Sequence, residues 1–295
     1  MESINKNTLR SDFDAYCIQF LKDRRNRQGV FLPNLKEVKS YKMFSDKKYR
    51  KTAIPGGSRF GGWQQILLDE QVCRCCYCMR NLSDNDLSIE HIVPKSFEEL
   101  NETDEFDFYC RMSPEISSHV VLGSVFDRCA KVVDLDNLVK YPHTIAHSNL
   151  VITCRDNGPG CSCNHDRGNK RILPFMLMED ADSWLKYTEL GELKLSYQDV
   201  DVSLNTLINL NINTETLQQI RHLWYLFSRI KVRPDTANTM SFQQKEESLK
   251  SAFCKNDFMD VDVSYQKYLT NTYYWDLFLQ YNWFYDYYSK TFPLN

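Results

Sequence analysis

The 295-residue sequence predicts an α+β fold that is predominantly helical. Two clusters of cysteines lie far apart in the chain, and a short strand-like segment accompanies each cluster. Over most of the remaining chain, apolar residues recur every three to four positions, the period of a helix that packs on a core. We therefore expect a small metal-stabilised core flanked by N-terminal and C-terminal helical regions.

Breaks in composition divide the chain into three predicted regions. Residues 1–69 form a basic helical region, residues 70–175 hold the core with an insertion at about 98–147, and residues 176–295 form a helical region rich in aromatic residues. The aromatic segment 264–290 is interpreted as part of the core. A partner-binding face is the alternative, because Tyr and Trp are enriched at interfaces.

In the first region, apolar spacing predicts a helix over residues 8–27, and "WQQILLDEQ" predicts a second helix after the Gly-Pro-rich break Ala53–Trp63. In the core, "LSIEHIV" predicts a strand that Pro94 ends, and "SNLVITC" predicts a second one. "CNHDRGNKR" then opens a predicted helix. Further helices are predicted at 215–230 and 241–253.

The net charge of −3 is not that of a protein that binds nucleic acid tightly on its own. The charge is uneven, because residues 1–60 hold 14 Lys and Arg against 6 Asp and Glu. The runs "KDRRNR" and "DKKYRK" are either solvated faces or an arm that contacts phosphates. With no predicted signal peptide or membrane span, we expect a cytoplasmic protein whose cysteines are ligands or buried thiols rather than disulfides.

Four cysteines in the two clusters offer the ligands of a structural zinc site. Cys75 and Cys78 form a Cys-x-x-Cys pair, and Cys154 with Cys163 supplies a second pair across a longer loop. A structural Zn²⁺ takes four such ligands in a tetrahedron. A single pair would equally suit a redox motif, but two clusters favour zinc.

The pattern leaves the register of the ligands open. Cys73 with Cys76 has the spacing of the first pair, and Cys161 can replace Cys163. The remaining cysteines are interpreted as scattered buried apolar residues, namely Cys17, Cys110, Cys129 and Cys254.

An acid-histidine pair, Glu90-His91, lies between the two cysteine clusters. Zinc bound to both clusters would bring His91 near Asn149, Asn164 and His165. A histidine suits the role of a base for water at neutral pH, and a carboxylate with an amide oxygen suits a hard divalent cation such as Mg²⁺. These residue types indicate hydrolysis of a phosphodiester bond.

The joint order of "CCYC", "IEHIVP", "NLVITC" and "CNHDRG" over residues 70–172 resembles the HNH endonuclease family, whose core is a ββα-metal fold. The resemblance implies that His91 is the general base and that Glu90 and Asn164 hold a catalytic Mg²⁺ or Mn²⁺. It implies that Asn149 supports the base or its loop, and that the four cysteines hold a separate structural zinc. Two insertions, after Pro94 and before Cys163, depart from the family pattern.

Two cations follow the last cysteine on the predicted helix. Arg167 and Lys170 are expected to hold backbone phosphates of DNA, and ordinary exposed helix cations are the alternative.

A narrower resemblance, carried by "LLDEQVCRCCYC", "CNHDRGNKRILPF" and "LNTLINLNINTETLQQIR", is to the HNH proteins of Septu and retron-associated antiphage defence. In those proteins a Pro-Phe segment, here Pro174-Phe175, and a Leu-Asn helix start, here Leu210-Asn211, follow the core. The resemblance implies a DNA substrate and a P-loop ATPase partner of the SMC/ABC type. The hypothesis from another class is a catalytically silent, zinc-stapled adaptor that binds the ATPase through its C-terminal aromatic helices.

Overall fold

The chain folds as an α+β protein in which helices dominate, and its described residues form three small two-stranded sheets. The computed structural model describes residues 3–25, 38–54, 60–97, 103–129, 133–155, 163–230, 240–255 and 263–293. Of residues 38–40, 103, 164, 165 and 253, it describes the backbone alone. One continuous cluster of buried apolar side chains runs through all the regions predicted from the sequence.

The described part of the N-terminal region contains four helices that pack around aromatic rings. Within the predicted first helix, the apolar positions are buried as their spacing predicts. The rings of Phe44 and Trp63 stack with centroids 5.1 Å apart, and Phe13 lies 5.7 Å from Trp63. The helices are α1 (Arg10–Arg24), α2 (Val38–Phe44), α3 (Lys47–Arg50) and α4 (Trp63–Glu70).

A buried ionic cluster ties this region to the core. The Lys6 ammonium donates to the Glu70 carboxylate at 3.0 Å and to the Leu150 carbonyl at 2.8 Å. The other oxygen of Glu70 lies 2.8 Å from His147 Nε2. All three side chains are almost completely buried. They join the segment before α1 to the end of α4 and to the backbone at Leu150.

Two antiparallel strands and one short helix form the centre of the molecule. Strand β1 (Leu87–His91) pairs with β4 (Leu150–Cys154), with Leu87 opposite Cys154 and His91 opposite Leu150. Helix α8 (Cys163–Arg167) follows β4 and packs against it. Both strands and the helix were predicted, and the register places Glu90 and His91 at the end of β1 that lies away from Cys154.

The insertion between the two strands carries mainly helices. Its strands β2 (Val120–Val121) and β3 (Tyr141–Pro142) pair in parallel, with Val120 opposite Tyr141. The elements are α5 (Thr103–Met112), α6 (Pro114–His119), β2 (Val120–Val121), α7 (Gly123–Cys129), a 3₁₀ turn at Leu135–Asn137 and β3 (Tyr141–Pro142).

The C-terminal region is helical, as predicted, with the addition of one β-hairpin. A 3₁₀ turn at Phe175–Leu177 precedes it, and its elements are α9 (Ala181–Trp184), β5 (Leu185–Tyr187), β6 (Leu193–Leu195), α10 (Val200–Leu210), α11 (Glu215–Arg229), α12 (Phe242–Lys255), α13 (Val263–Thr270), α14 (Thr272–Leu279) and α15 (Trp283–Thr291). The predicted helix start at Leu210-Asn211 is wrong. Leu210 ends α10, and Asn211 adopts the left-handed conformation (φ 47°) typical of a residue that terminates a helix.

The aromatic segment at the end of the chain contributes to the interior. Trp224 of α11 stacks on Phe278 with ring centroids 4.3 Å apart, and Tyr281, Phe284 and Tyr288 are buried. The interpretation of this segment as core is therefore confirmed for these residues. No helix in the described ranges combines the length and the apolar character needed to cross a membrane.

Candidate functional site

Four buried cysteine thiols converge at one point in the core. The sulfur atoms of Cys75, Cys78, Cys154 and Cys163 all lie within 4.8 Å of one another. Cys78 and Cys154 are 3.8 Å apart, close to the edge of about 3.8 Å that a tetrahedron with Zn–S bonds of about 2.3 Å requires. The donor set and its spacing fit a metal ion such as zinc.

A tight turn brings Cys75 and Cys78 to the same side of the chain. The Cys75 N–H donates to the Arg80 carbonyl at 2.8 Å, and the Met79 N–H donates to the Cys75 carbonyl at 3.1 Å. Met79 takes the left-handed conformation, with φ 64°. This turn, which we call the knuckle (Cys75–Arg80), selects Cys75 and Cys78 over Cys73 and Cys76.

Secondary structure positions the other two thiols. Cys154 is the last residue of β4, and Cys163 is the first residue of α8. The buried Gln71 side chain joins β4 to the knuckle, since its amide donates to the carbonyls of Arg74 and Ile152 and its oxygen accepts from the Ile152 N–H. The cysteine cluster therefore brings together the knuckle, the end of β4 and the start of α8, and β1 joins them through its pairing with β4.

The other cysteines differ from the prediction in part. Cys17 is buried as expected, and Cys110 is half-buried. Cys129 and Cys254 are exposed, so their interpretation as buried apolar residues is wrong. Each lies at or next to the end of a helix, where the helical period no longer indicates which face is covered. Cys161 lies outside the described residues.

The turn between α14 and α15 covers the knuckle. The Asn81 N–H donates to the Gln280 carbonyl at 2.7 Å, and Arg80 Nε donates to the Gln280 side-chain oxygen at 2.6 Å. The Tyr281 hydroxyl lies 3.9 Å from the Cys78 sulfur. The C-terminal helices therefore pack directly over the cysteine cluster.

His91, at the end of β1, is buried with a defined hydrogen-bond partner. Its Nε2 lies 3.1 Å from the Thr144 carbonyl, and because a carbonyl can only accept, Nε2 carries the hydrogen and Nδ1 the lone pair. Burial lowers the pKa of His91 to about 3, against the opposing effect of the Thr144 carbonyl. The imidazole is therefore neutral at pH 7 with a lone pair on Nδ1, and its lowered pKa makes it a weaker base than a solvated histidine.

Glu90 forms an ion pair in the interior with Arg167. Arg167 Nη1 lies 2.5 Å from Glu90 Oε1, and the guanidinium also donates to the carbonyls of His91 and Ile92. Burial raises the pKa of Glu90 to about 7, while the charge of Arg167 and its hydrogen bond act to lower it. The pKa of Arg167, which burial lowers, is raised overall by Tyr77, Glu90 and Tyr109, so the guanidinium remains charged.

The expectation that Arg167 contacts backbone phosphates is wrong, because its side chain has no exposed surface. Its partners are the end of β1 and, at 3.4 Å, the hydroxyls of Tyr77 and Tyr109. Lys170, three residues later, is exposed, and its ammonium donates to the Asp166 carbonyl at 3.2 Å.

Asn149 joins the two segments that flank His91. Its side-chain oxygen accepts from the Val93 N–H at 2.6 Å, and its amide donates to the carbonyls of Val93 and His143. The Asn149 carbonyl accepts from the Ile92 N–H at 3.0 Å. Asn164 is the second residue of α8, directly after Cys163, but the side chains of Asn164 and His165 lie outside the described residues.

A surface cleft opens beside the acid-histidine pair. Its lining consists of Ile89, Glu90, His91, Pro94, Lys95, Gly168 and Asn169. The Glu90 carboxylate is the kind of oxygen donor that Mg²⁺ takes in proteins. Within the described ranges, however, the four cysteines are the only group of three or more His, Cys, Asp or Glu residues placed to share an ion.

Several residues around the site were missed by sequence reasoning. Thr144 holds His91 through its backbone, which carries no side-chain signal. Tyr41, from α2, packs edge-on against the His91 ring with centroids 4.5 Å apart. The "DRG" that follows "CNH" could have indicated a fixed arginine, because an Arg fork suits two carbonyls and a carboxylate at once.

Comparisons with known proteins add no assignment. No family model matches the sequence, and neither a curated protein nor a solved structure is significantly similar to it.

Proposed function

We propose that the chain is a metal-dependent endonuclease of the HNH type that hydrolyses phosphodiester bonds in DNA. The observation that carries the proposal is the pairing of a neutral, carbonyl-held His91 with Glu90 in a cleft that also contains Lys95. A base, a carboxylate and a cation are the groups that hydrolysis of a phosphodiester requires.

In this proposal, His91 removes a proton from the attacking water through Nδ1. The Thr144 carbonyl keeps the ring in one tautomer, as a second partner commonly does for a catalytic histidine. Asn149 supports the His91 loop by pinning Val93 and His143. Lys95 in the cleft and the exposed Lys170 supply positive charge for the phosphates on either side of the scissile bond.

Glu90 and Asn164 would hold the catalytic Mg²⁺ or Mn²⁺. Since Arg167 donates to Oε1 of Glu90, the other carboxylate oxygen would hold the ion. When bound, such an ion stabilises the charge on the scissile phosphate and on the departing oxygen. Arg167 is then a positioning residue that orients the Glu90 carboxylate at the edge of the cleft.

We propose zinc as the occupant of the cysteine cluster, in a structural role. The cluster binds through four protein ligands, which leaves no open position for substrate. Its contribution to catalysis is to fix β1, which carries Glu90 and His91, against the start of α8, which carries Asn164.

We further propose that the nuclease is the effector of a bacterial antiphage defence complex with a P-loop ATPase of the SMC/ABC type, as the resemblance to Septu and retron-associated proteins implies. The acidic balance outside residues 1–60 supports this, because a nuclease with net charge −3 gains from delivery to DNA by a partner. For the adaptor hypothesis, the burial of Trp275, Phe278 and Phe284 leaves less aromatic surface for a partner.

The test is a plasmid-nicking assay with added Mg²⁺ or Mn²⁺, with and without a P-loop ATPase of the proposed class. His91→Ala should abolish cutting and retain a cooperative unfolding transition, at a lower temperature because a buried, hydrogen-bonded ring is removed. His119→Ala is the matched control, because His119 is a partly exposed histidine of the insertion whose ring contacts only the Val139 carbonyl among the described hydrogen bonds. Nicking by His91→Ala at the wild-type rate, or no cutting by any form while the ATPase binds, would favour the adaptor.

A further inference from the structure

A positively charged segment of the N-terminal region packs beside the candidate site. Residues 38–54, which contain α2 and α3, hold six Lys and Arg against one Asp. The chain as a whole has a net charge of −3. We call this part of the molecule the basic segment (residues 38–54).

Tyr41 joins the basic segment to the cleft. Its ring meets the His91 ring at 81° with centroids 4.5 Å apart, and the Lys95 ammonium lies 5.4 Å from the centre of the Tyr41 ring. Burial raises the pKa of the Tyr41 hydroxyl. The nearby charge of Arg50 acts to lower this pKa, and that of Glu90 acts to raise it. The basic segment, Lys95 and Glu90 are therefore close neighbours in space.

The cations of the basic segment whose side chains the structure describes fall into two groups. Lys48 forms an ion pair with Asp23, and Arg50 Nε donates to the Gln64 side chain at 2.5 Å, so both are engaged within the protein. Lys42, Lys47 and Lys51 are exposed. Lys42 lies on α2, Lys47 is the first residue of α3, and Lys51 directly follows α3.

We propose that the basic segment is the surface that binds the phosphate backbone of double-stranded DNA and leads it into the cleft at His91. The ligand class rests on the proposed function, while the location rests on the contacts of Tyr41. The rest of the chain has an acidic balance that repels DNA. Positive charge next to the cleft would offset this repulsion where the DNA has to bind. Tyr41 would then separate the backbone-binding surface from the base.

Binding can be measured separately from cutting. The His91→Ala protein is titrated into a fluorescent 30-base-pair duplex without added divalent cation, over a series of salt concentrations. Adding Lys42→Gln, Lys47→Gln and Lys51→Gln together should weaken binding at least about tenfold. It should also reduce the slope of log K against log salt by about 0.9 for each lysine that neutralises a phosphate.

The charge-matched control is Lys186→Gln, Lys255→Gln and Lys290→Gln, three exposed lysines of the C-terminal region. This control should bind like the parent protein, and both triple variants should unfold at the parent temperature, because the substituted side chains are exposed. Equal affinity and equal slope for the two triple variants would overturn the proposal. Tighter binding of single-stranded DNA or RNA than of the duplex would overturn its assignment to double-stranded DNA.

Failure of this inference differs from failure of the proposed function. If the protein nicks plasmid and the basic-segment lysines do not affect binding, the surface is wrong and the nuclease stands. If binding depends on these lysines and no form of the protein cuts DNA with Mg²⁺ or Mn²⁺, the surface stands and the nuclease is wrong.

Discussion

Arg167 carries a full charge in the interior and satisfies three oxygen acceptors at the end of β1. Its guanidinium contacts the Glu90 carboxylate and the carbonyls of His91 and Ile92. A planar guanidinium can satisfy such a set in one geometry, which Lys cannot. The sequence places Arg167 on a short polar helix, whose five residues are too few for the helical period to define a buried face.

Arg167→Met should therefore destabilise the protein by about 3–5 kcal/mol, since it leaves the buried Glu90 without its cation and two carbonyls without a donor. Urea unfolding followed by circular dichroism measures the change. Arg171→Met is the matched control, because Arg171 pairs with Glu105 at the surface and such pairs contribute less than about 1 kcal/mol.

Glu90→Gln should recover part of the loss when it is combined with Arg167→Met, because the unpaired buried carboxylate is then gone. Equal destabilisation by Arg167→Met and Arg171→Met would show that the interior ion pair does not hold the end of β1.

For the knuckle, the sequence predicted the ligand spacing but not the C-terminal residues that pack against it. Its Cys-x-x-Cys spacing identified the ligand pair, although two registers were possible. The structure distinguishes them through Met79, whose left-handed backbone closes the turn after Cys78. The contacts of Arg80 with Gln280 and of the following Asn81 with Asn282 join positions some 200 residues apart, which no local pattern can indicate.

Cys78→Ser should remove most of the bound metal and lower the unfolding temperature by roughly 10 °C, because binding to a structural site is coupled to folding. Zinc content by mass spectrometry and a calorimetric scan provide the two readouts. Cys73→Ser is the control within the same motif, since Cys73 is exposed and lies outside the cluster. A Cys78→Ser protein with one zinc per chain and an unchanged transition would contradict the site.

At the scale of the whole molecule, sequence reasoning recovers the elements with strong local signals. The strands β1 and β4 follow from short apolar runs beside the cysteines, and α11 follows from its apolar period. The hairpin β5–β6 was missed because each strand has only three residues. The burial of Arg167 and the covering of the knuckle depend on tertiary contacts, which periodicity does not contain.

Buried histidines in several regions make the stability of the molecule sensitive to acid. Burial lowers the pKa values of His143, His147 and His222 to about 4. The unfolded chain, with histidine pKa values of about 6.5, therefore binds more protons than the native state between these limits. The stability that the neutral rings contribute is complete above about pH 6.5 and is lost as pH falls towards 4.

His222→Gln isolates one of these contributions. Nδ1 of His222 lies 2.8 Å from the Tyr265 hydroxyl, at hydrogen-bond distance. The substitution removes this contact and therefore lowers the free energy of unfolding at pH 7. At pH 5 the wild-type protein has lost on the order of 1–2 kcal/mol at this site and the variant has not. The difference between their free energies of unfolding should shrink by that amount, and a difference that is constant with pH would contradict the burial of a neutral ring.

The order of synthesis adds a consequence to the packing of Gln280 on Arg80, since these residues are 200 positions apart. At about 5–20 residues per second, a ribosome needs about 10–40 s to travel from one to the other. Throughout that interval the nascent thiols lack the Tyr281 ring that later covers Cys78. The four cysteines are complete at Cys163, before Tyr281 is synthesised, so their thiols are accessible to metal ions and to oxidants until the C-terminal helices pack over them.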